Sequence, residues 1–182
     1  MKFVCIMGGT NSGKSTVEQY LEKMGFTRSI SYTTRKPQVR DGILETHGKE
    51  YRFVTVEKFM DLVAKGHIIE YEKYNDNYYG TPVPHGATRY VAVVCLGGYR
   101  ALKEKFGDQV IGVYLKCDKE TIIERASKRD KTTDQALKRI EGEKETLKQL
   151  EEEADIIIDS SQELYGMLAE ILRVVRNYDE ER

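Results

Sequence analysis

Apolar residues in this 182-residue chain fall into short continuous runs, and longer segments with helical spacing of apolar positions separate them. The first run, residues 2–7, predicts a buried strand, and residues 15–24 predict the helix that follows it. Near-continuous apolar runs at 90–96 and 110–115 are typical of parallel strands that helices cover on both faces. Strands that alternate with helices predict a parallel α/β sheet.

The remaining segments complete this alternating order. Residues 36–48 contain Pro37, Gly42 and Gly48 and predict a mobile loop. Further strands are predicted at 26–34, 51–54, 67–74 and 156–158. Further helices are predicted at 56–64, 101–106, 133–153 and 162–176, the third opening with a capping box of Thr132 and Gln135. The length suits one domain with a substantial core.

Composition narrows the class of protein. The formal net charge of −1 argues against a nucleic-acid-binding surface that depends on bulk positive charge. Cys5, Cys95 and Cys117 lie in or beside apolar runs without C-x-x-C spacing, which predicts reduced core thiols. Neither a signal peptide nor a membrane span is predicted, because no apolar run is long enough. We expect a cytoplasmic protein without a nucleic-acid or membrane partner.

One glycine-rich segment carries specific chemistry. It fits the phosphate-binding pattern G-x-x-x-x-G-K-[ST] and stands between a predicted strand and a predicted helix, which disfavours a chance match in a surface turn. Loop amides and the helix N-terminus would hold the phosphates of ATP, Lys14 would reach the β- and γ-phosphates, and Ser15 would ligate Mg²⁺. The predicted ATP-binding residues are Gly8, Gly9, Thr10, Asn11, Ser12, Gly13, Lys14, Ser15 and Thr16.

Four motifs after this loop resemble guanylate kinase, in the family's order. They are SYTTRKP at 31–37, GKEYRFV at 48–54, Ile69-Glu70, and NYYGT at 77–81. The resemblance implies a single domain with the P-loop nucleoside monophosphate kinase fold. A five-stranded parallel core sheet flanked by helices would comprise about 1–30, 89–120 and 154–182. A small mixed β-rich monophosphate-binding subdomain would span about 31–88, and a helical lid about 121–153.

The same resemblance implies a second nucleotide site. The matching positions bind GMP in guanylate kinases, and their chemistry suits that role. Arg35, Tyr51 and Tyr79 would donate to the monophosphate, and the Glu70 carboxylate would accept N1–H and the exocyclic amine of guanine. Ser31 and Thr81 would complete the contacts with the base edge.

The expected reaction is in-line transfer of a phosphoryl group from ATP to GMP or dGMP, with Mg²⁺. Such a transfer requires positive charge near the moving group. With Lys14 and Arg35, the predicted catalytic residues are the arginines of the lid region, Arg125, Arg129 and Arg139. Closure of the lid would exclude water. The chain would act as a monomer or a homodimer.

Two departures from the family pattern leave alternatives open. Val93 and Cys95 stand where guanylate kinases carry two aspartates, so guanine specificity would depend more on Glu70. Gln38 replaces a phosphate-binding arginine, which Arg40 could supply from a longer loop. A nucleoside monophosphate kinase of altered or broader base specificity and a catalytically inactive binding module therefore remain alternatives. Ribo or deoxy preference stays open.

Overall fold

The structure is a computed structural model, and it describes residues 2–40, 42–86, 88–127 and 133–180. Its strands, in chain order, are β1 Lys2–Gly8, β2 Thr27–Arg28, β3 Tyr32–Thr33, β4 Val39–Arg40, β5 Ile43–Leu44, β6 Arg52–Phe53, β7 Ile68–Tyr74, β8 Asn77–Pro82, β9 Arg89–Val93, β10 Val110–Lys116 and β11 Ile156–Asp159. Its α-helices are α1 Lys14–Lys23, α2 Val56–Ala64, α3 Leu96–Phe106, α4 Lys119–Ser127, α5 Thr133–Glu153 and α6 Leu164–Glu180.

The main sheet has five parallel strands in the order β11-β10-β1-β9-β2, which confirms the predicted parallel core. Strand β1 is apolar from Phe3 to Met7, as expected for a strand that helices cover on both faces. Phe3 and Met7 pack in a cluster with Leu102 of α3, while Val4 and Ile6 belong to a second cluster with residues of α1 and α6. The carboxyl end of β1 is thereby fixed at the glycine-rich loop.

A second, mixed sheet stands apart from the core sheet and has the order β6-β3-β8-β7. Strands β3 and β6 are parallel, and the other neighbours are antiparallel. Helix α2 covers this sheet, with Phe59 fully buried and stacked on Tyr78 at a ring-centroid distance of 5.6 Å. The mixed β-rich unit predicted between the core segments is therefore present.

Three expectations require correction. Residues 26–34 do not form one strand, because the chain leaves the core sheet after β2 and enters the mixed sheet at β3. The segment predicted as a loop at 36–48 contains the short antiparallel hairpin β4-β5. Helix α3 begins at Leu96, five residues before its predicted start, because the Cys95 Sγ accepts a hydrogen bond from the Gly98 amide and caps it.

The thiols also differ from expectation. All three cysteines are free, as predicted, but only Cys5 lies in the core, since Cys95 and Cys117 are partly exposed. Among the described residues, no helix combines the length and apolarity needed to cross a membrane.

Candidate active site

The glycine-rich loop connects β1 to α1, as predicted. Gly13 has a φ of 91°, in the left-handed region that glycine adopts without strain, and it leads directly into the first turn of α1. The Lys14 Nζ turns back over the loop and donates to the carbonyls of Gly8 at 2.9 Å and Gly9 at 2.6 Å. Its ammonium is thus held against the loop on which phosphates would lie.

Lys14 is an electrostatically unusual group. Burial lowers its pKa to about 8, although the nearby Glu143 acts in the opposite direction. Glu143, on α5, also accepts a hydrogen bond from the Thr10 amide at 2.8 Å. A side-chain carboxylate therefore uses one of the loop amides, the kind of donor that binds phosphate.

One cavity of about 540 Å³ brings the two halves of the predicted site together. Its walls include Gly8 and Lys14 from the loop. They also include six of the seven residues predicted to bind GMP, which are Ser31, Arg35, Tyr51, Glu70, Tyr79 and Thr81. Their individual roles stay predictions, but their shared position gives a triphosphate and a monophosphate one space in which to meet.

Arg35 is held in place by an acid that the sequence analysis did not single out. Its two terminal nitrogens donate to the two oxygens of Glu45 at 2.7 and 3.1 Å, and its guanidinium lies 5.2 Å from the centre of the Tyr51 ring. Burial opposes the charge of Arg35, but the hydrogen bonds with Glu45 prevail and raise its pKa. Glu45 is itself buried and also accepts a bond from the Gln38 amide.

The base end of the cavity centres on Glu70. Burial raises the pKa of Glu70, and Glu72 adds to that shift, whereas a hydrogen bond from Cys95 opposes it. The Cys95 Sγ lies 3.8 Å from the Glu70 Oε2. Burial raises the pKa of Cys95 to about 11, so a neutral thiol donor occupies the position of the missing aspartate. Glu70 pairs with Thr81 across β7 and β8.

Arg125 lies on a different side of the loop from the main cavity. It donates to the carbonyls of Asn11 at 3.3 Å and Ser160 at 2.6 Å. It lines a second cavity of about 300 Å³, whose walls also include Gly13, Thr16 and Leu164. The predicted catalytic role of Arg125 stays a prediction.

The other predicted arginines lie outside what can be described. Arg129 falls outside the described residues, and the side chains of Arg139 and Arg40 do so as well, although their backbones belong to α5 and β4. Their roles stay predictions.

A third, smaller cavity of about 120 Å³ adjoins the loop and contains Ser15, the predicted Mg²⁺ ligand. Its walls also include Glu18 of α1 and Val93 at the end of β9. Mg²⁺ prefers oxygen ligands, and it keeps several of its bound waters, so it does not need a full set of protein ligands. Among the described residues, no cluster of three or more acidic, histidine or cysteine side chains occurs. The oxygen donors that line this cavity, the Ser15 hydroxyl and the Glu18 carboxylate, are of the type that Mg²⁺ binds. The residues present therefore fit the ion.

Comparisons with known proteins agree with the motifs. The model of the family described as guanylate kinase matches residues 1–175. A guanylate kinase from Prochlorococcus marinus is 32% identical over 146 residues, which is 76% of this chain and 77% of that protein. One from Lactiplantibacillus plantarum is 41% identical over 85 residues, covering 45% of this chain and 39% of that protein.

A solved structure extends the agreement to the fold. The crystal structure of guanylate kinase from Anaplasma phagocytophilum aligns with a TM-score of 0.72 at 23% identity. The alignment covers 97% of this chain and 85% of that chain. At this identity the match supports the fold, and the chemistry has to be argued from the site.

Proposed function

The chain belongs to the guanylate kinase family, and on that premise we propose that it transfers the terminal phosphoryl group of ATP to GMP or dGMP. The observation that carries the proposal is the 540 Å³ cavity, whose walls combine the loop lysine with six residues matched to the GMP-binding motifs. ADP and GDP or dGDP would be the products. The free thiols fit a cytoplasmic protein, as does the match to nucleotide enzymes.

Transfer requires two anionic groups to meet in line, with their charge neutralised. In our proposal Lys14 steadies the phosphates of ATP, and Arg35 and Tyr79 orient the monophosphate as acceptor. Mg²⁺, held through Ser15, would neutralise charge on the donor phosphates when it is bound. No side chain needs to become covalently attached, and a dedicated general base is not required.

Base selection would depend on Glu70. A carboxylate can accept the paired N1–H and amine donors of guanine together, and adenine lacks that pair of donors. The neutral Cys95 thiol lies beside Glu70 and adds no second acceptor of comparable strength. Specificity for guanine should therefore be concentrated in one side chain.

The test is a coupled assay of ADP formation with a panel of ribo- and deoxymonophosphates. We expect ATP turnover to require GMP or dGMP, and tenfold faster turnover of another monophosphate would refute the proposal. Glu70→Gln should lower kcat/KM for GMP by about tenfold or more, since one acceptor becomes a donor. Glu72→Gln removes a neighbouring charge on β7 and serves as the matched control. MgATP binding without turnover on any monophosphate would instead indicate an inactive module.

A further inference from the structure

Strand β9, one of the two neighbours of β1, ends without a carboxylate. In P-loop nucleotide enzymes, Mg²⁺ is held by the loop serine or threonine together with an aspartate from a neighbouring strand. Here β9 lies next to β1 and ends at Val93, and the two residues that follow are Val94 and Cys95. Asp118, which follows the other neighbour β10, uses its carboxylate on the amide and hydroxyl of Thr121. An acid that completes the environment of the ion at the end of β9 therefore has to come from another element.

A carboxylate from α1 reaches this position. The Glu18 Oε1 accepts a hydrogen bond from the Val93 amide at 3.2 Å, so the acid stands at the carboxyl end of β9. Glu18 follows Ser15 by three residues, a spacing that places both on the same helix face. Both also line the 120 Å³ cavity. That small cavity and the main one share Ser31, Tyr51 and Val93 in their walls.

The burial of Glu18 calls for an explanation. Its side chain is only 7% exposed, and its Oε2 pairs with Arg28 at 2.9 Å. Burial raises the pKa of Glu18 even though Arg28 and the Val93 amide oppose that shift. A carboxylate has about four acceptor positions, so these two bonds leave capacity for donors such as metal-bound waters. A divalent cation close by would compensate the burial of the negative charge.

We propose that Glu18 is the positioning residue for Mg²⁺ bound with the donor nucleotide, and that it takes the place of the absent strand aspartate. It would orient the water shell of the ion from α1 while Ser15 acts as the protein ligand. The inference rests on the proposed function, because Mg²⁺ is expected at this position only if the protein binds MgATP as a substrate. A merely structural role, in which Glu18 only ties α1 to β2 and β9, is the competing explanation.

The test compares ADP binding by calorimetry in the presence of Mg²⁺ and in the presence of a chelator. We expect Mg²⁺ to strengthen ADP binding by the wild type. In Glu18→Gln, the ratio of ADP affinity with Mg²⁺ to ADP affinity with the chelator should be about tenfold smaller, as is usual when a residue that orients metal ligands is substituted. Binding of metal-free ADP should change by less than about twofold, since the Glu18 carboxylate bonds to Arg28 and to the Val93 amide rather than to the amides of the phosphate-binding loop. Mn²⁺ affinity of the ADP complex, measured by electron paramagnetic resonance, should fall in parallel.

Two further variants separate the metal role from the structural one. Glu22→Gln is the matched control, because Glu22 lies one turn further along α1 and also pairs with Arg28, at 3.6 Å. It should keep the full Mg²⁺ effect. In Glu18→Gln/Val93→Asp, a carboxylate returns at the strand end, and we expect most of the Mg²⁺ effect to return with it. This double variant also tests the idea if Glu18→Gln alone folds poorly.

The inference is overturned if Glu18→Gln keeps the full Mg²⁺ effect, or if Glu22→Gln loses as much of it. A double variant that is folded, as judged by thermal unfolding, but does not recover the effect also contradicts it. Failure of the proposed kinase activity would give a different result from failure of this inference. In that case MgADP binding would depend on Glu18 while no monophosphate was phosphorylated.

Discussion

Raising the pH from 7 to 9 should weaken the binding of MgADP through the titration of Lys14. Burial lowers the pKa of Lys14 in the free protein to about 8, and bound phosphates would hold the ammonium charged, which raises that pKa in the complex. Well below pH 8 both states carry the proton, so binding exchanges almost none. Above pH 8 the free protein has lost it and must take one up, so affinity falls as the pH rises.

The size of the change in MgADP affinity follows from the fraction of the free protein in which Lys14 is charged. With a pKa of about 8, the apparent dissociation constant rises by about 1.1-fold at pH 7 and about elevenfold at pH 9, which is a net loss of about tenfold. Calorimetry in two buffers of different ionisation enthalpy would measure the proton uptake, expected near 0.9 per ADP at pH 9. The Cys95 thiol, with its pKa raised to about 11, stays silent over this range.

Lys14→Met provides the control. It should bind MgADP weakly at every pH, without the loss of affinity above pH 8. Unfolding cannot imitate the wild-type result, because the unfolded chain holds the lysine proton up to the ordinary pKa of 10.5. The titration of Lys14 therefore makes the free fold more stable, not less, as the pH rises through 8. An equal pH dependence in Lys14→Met, or a pH-independent wild type, would refute this reasoning.

Other predictions concern helix α5 and the core. Glu143→Gln should tighten ATP binding about tenfold, because the nucleotide no longer displaces a charged acceptor from the loop, while the exposed Glu145→Gln should leave affinity unchanged. Gly112→Ala should destabilise the fold by about 1–3 kcal/mol in urea unfolding, since its new Cβ would lie 2.6 Å from the Tyr99 ring. Gly142→Ala, in open space on a helix, should instead stabilise it by up to about 1 kcal/mol, and the opposite order would contradict the packing argument.

Elements with strong local signals were predictable from the sequence. Helix α2 has the bounds 56–64 that the helical spacing of its apolar residues predicts, and α5 has the predicted bounds 133–153. The capping box predicted to open α5 stays a prediction, because Thr132 lies outside the described residues. Residues 26–34 were predicted to form one strand because they are rich in Ile and Thr, but strand propensity does not reveal where the backbone passes from one sheet to another. The β4-β5 hairpin was missed because its apolar side chains, including Ile43 at 71% exposure, face solvent without a buried partner to set a pattern.

Most contacts of the acidic residues around the site could not be predicted from the sequence. Thr10 and Glu143 are separated by 133 positions, so only the fold brings them together. Glu45 lies in the segment that was predicted to be a loop, and nothing local indicates that it pairs with Arg35. Glu18 did leave a signal, since it is an acid one turn after Ser15 on the same face of α1. That spacing, together with the missing strand aspartate, could have identified it.

Glu45, Glu143 and Glu18 are three carboxylates around a site that we propose binds phosphates. Glu45 occupies the donors of Arg35, and Glu143 occupies the amide of Thr10. Carboxylate and phosphate oxygens satisfy the same donors, so the free protein keeps those donors paired and binding becomes an exchange of anions. The two exchanges would involve different nucleotides, since the monophosphate would replace Glu45 on Arg35 and the phosphates of ATP would replace Glu143 on the Thr10 amide. Glu18 bonds to neither of these donors, so it can stay in place when the phosphates arrive.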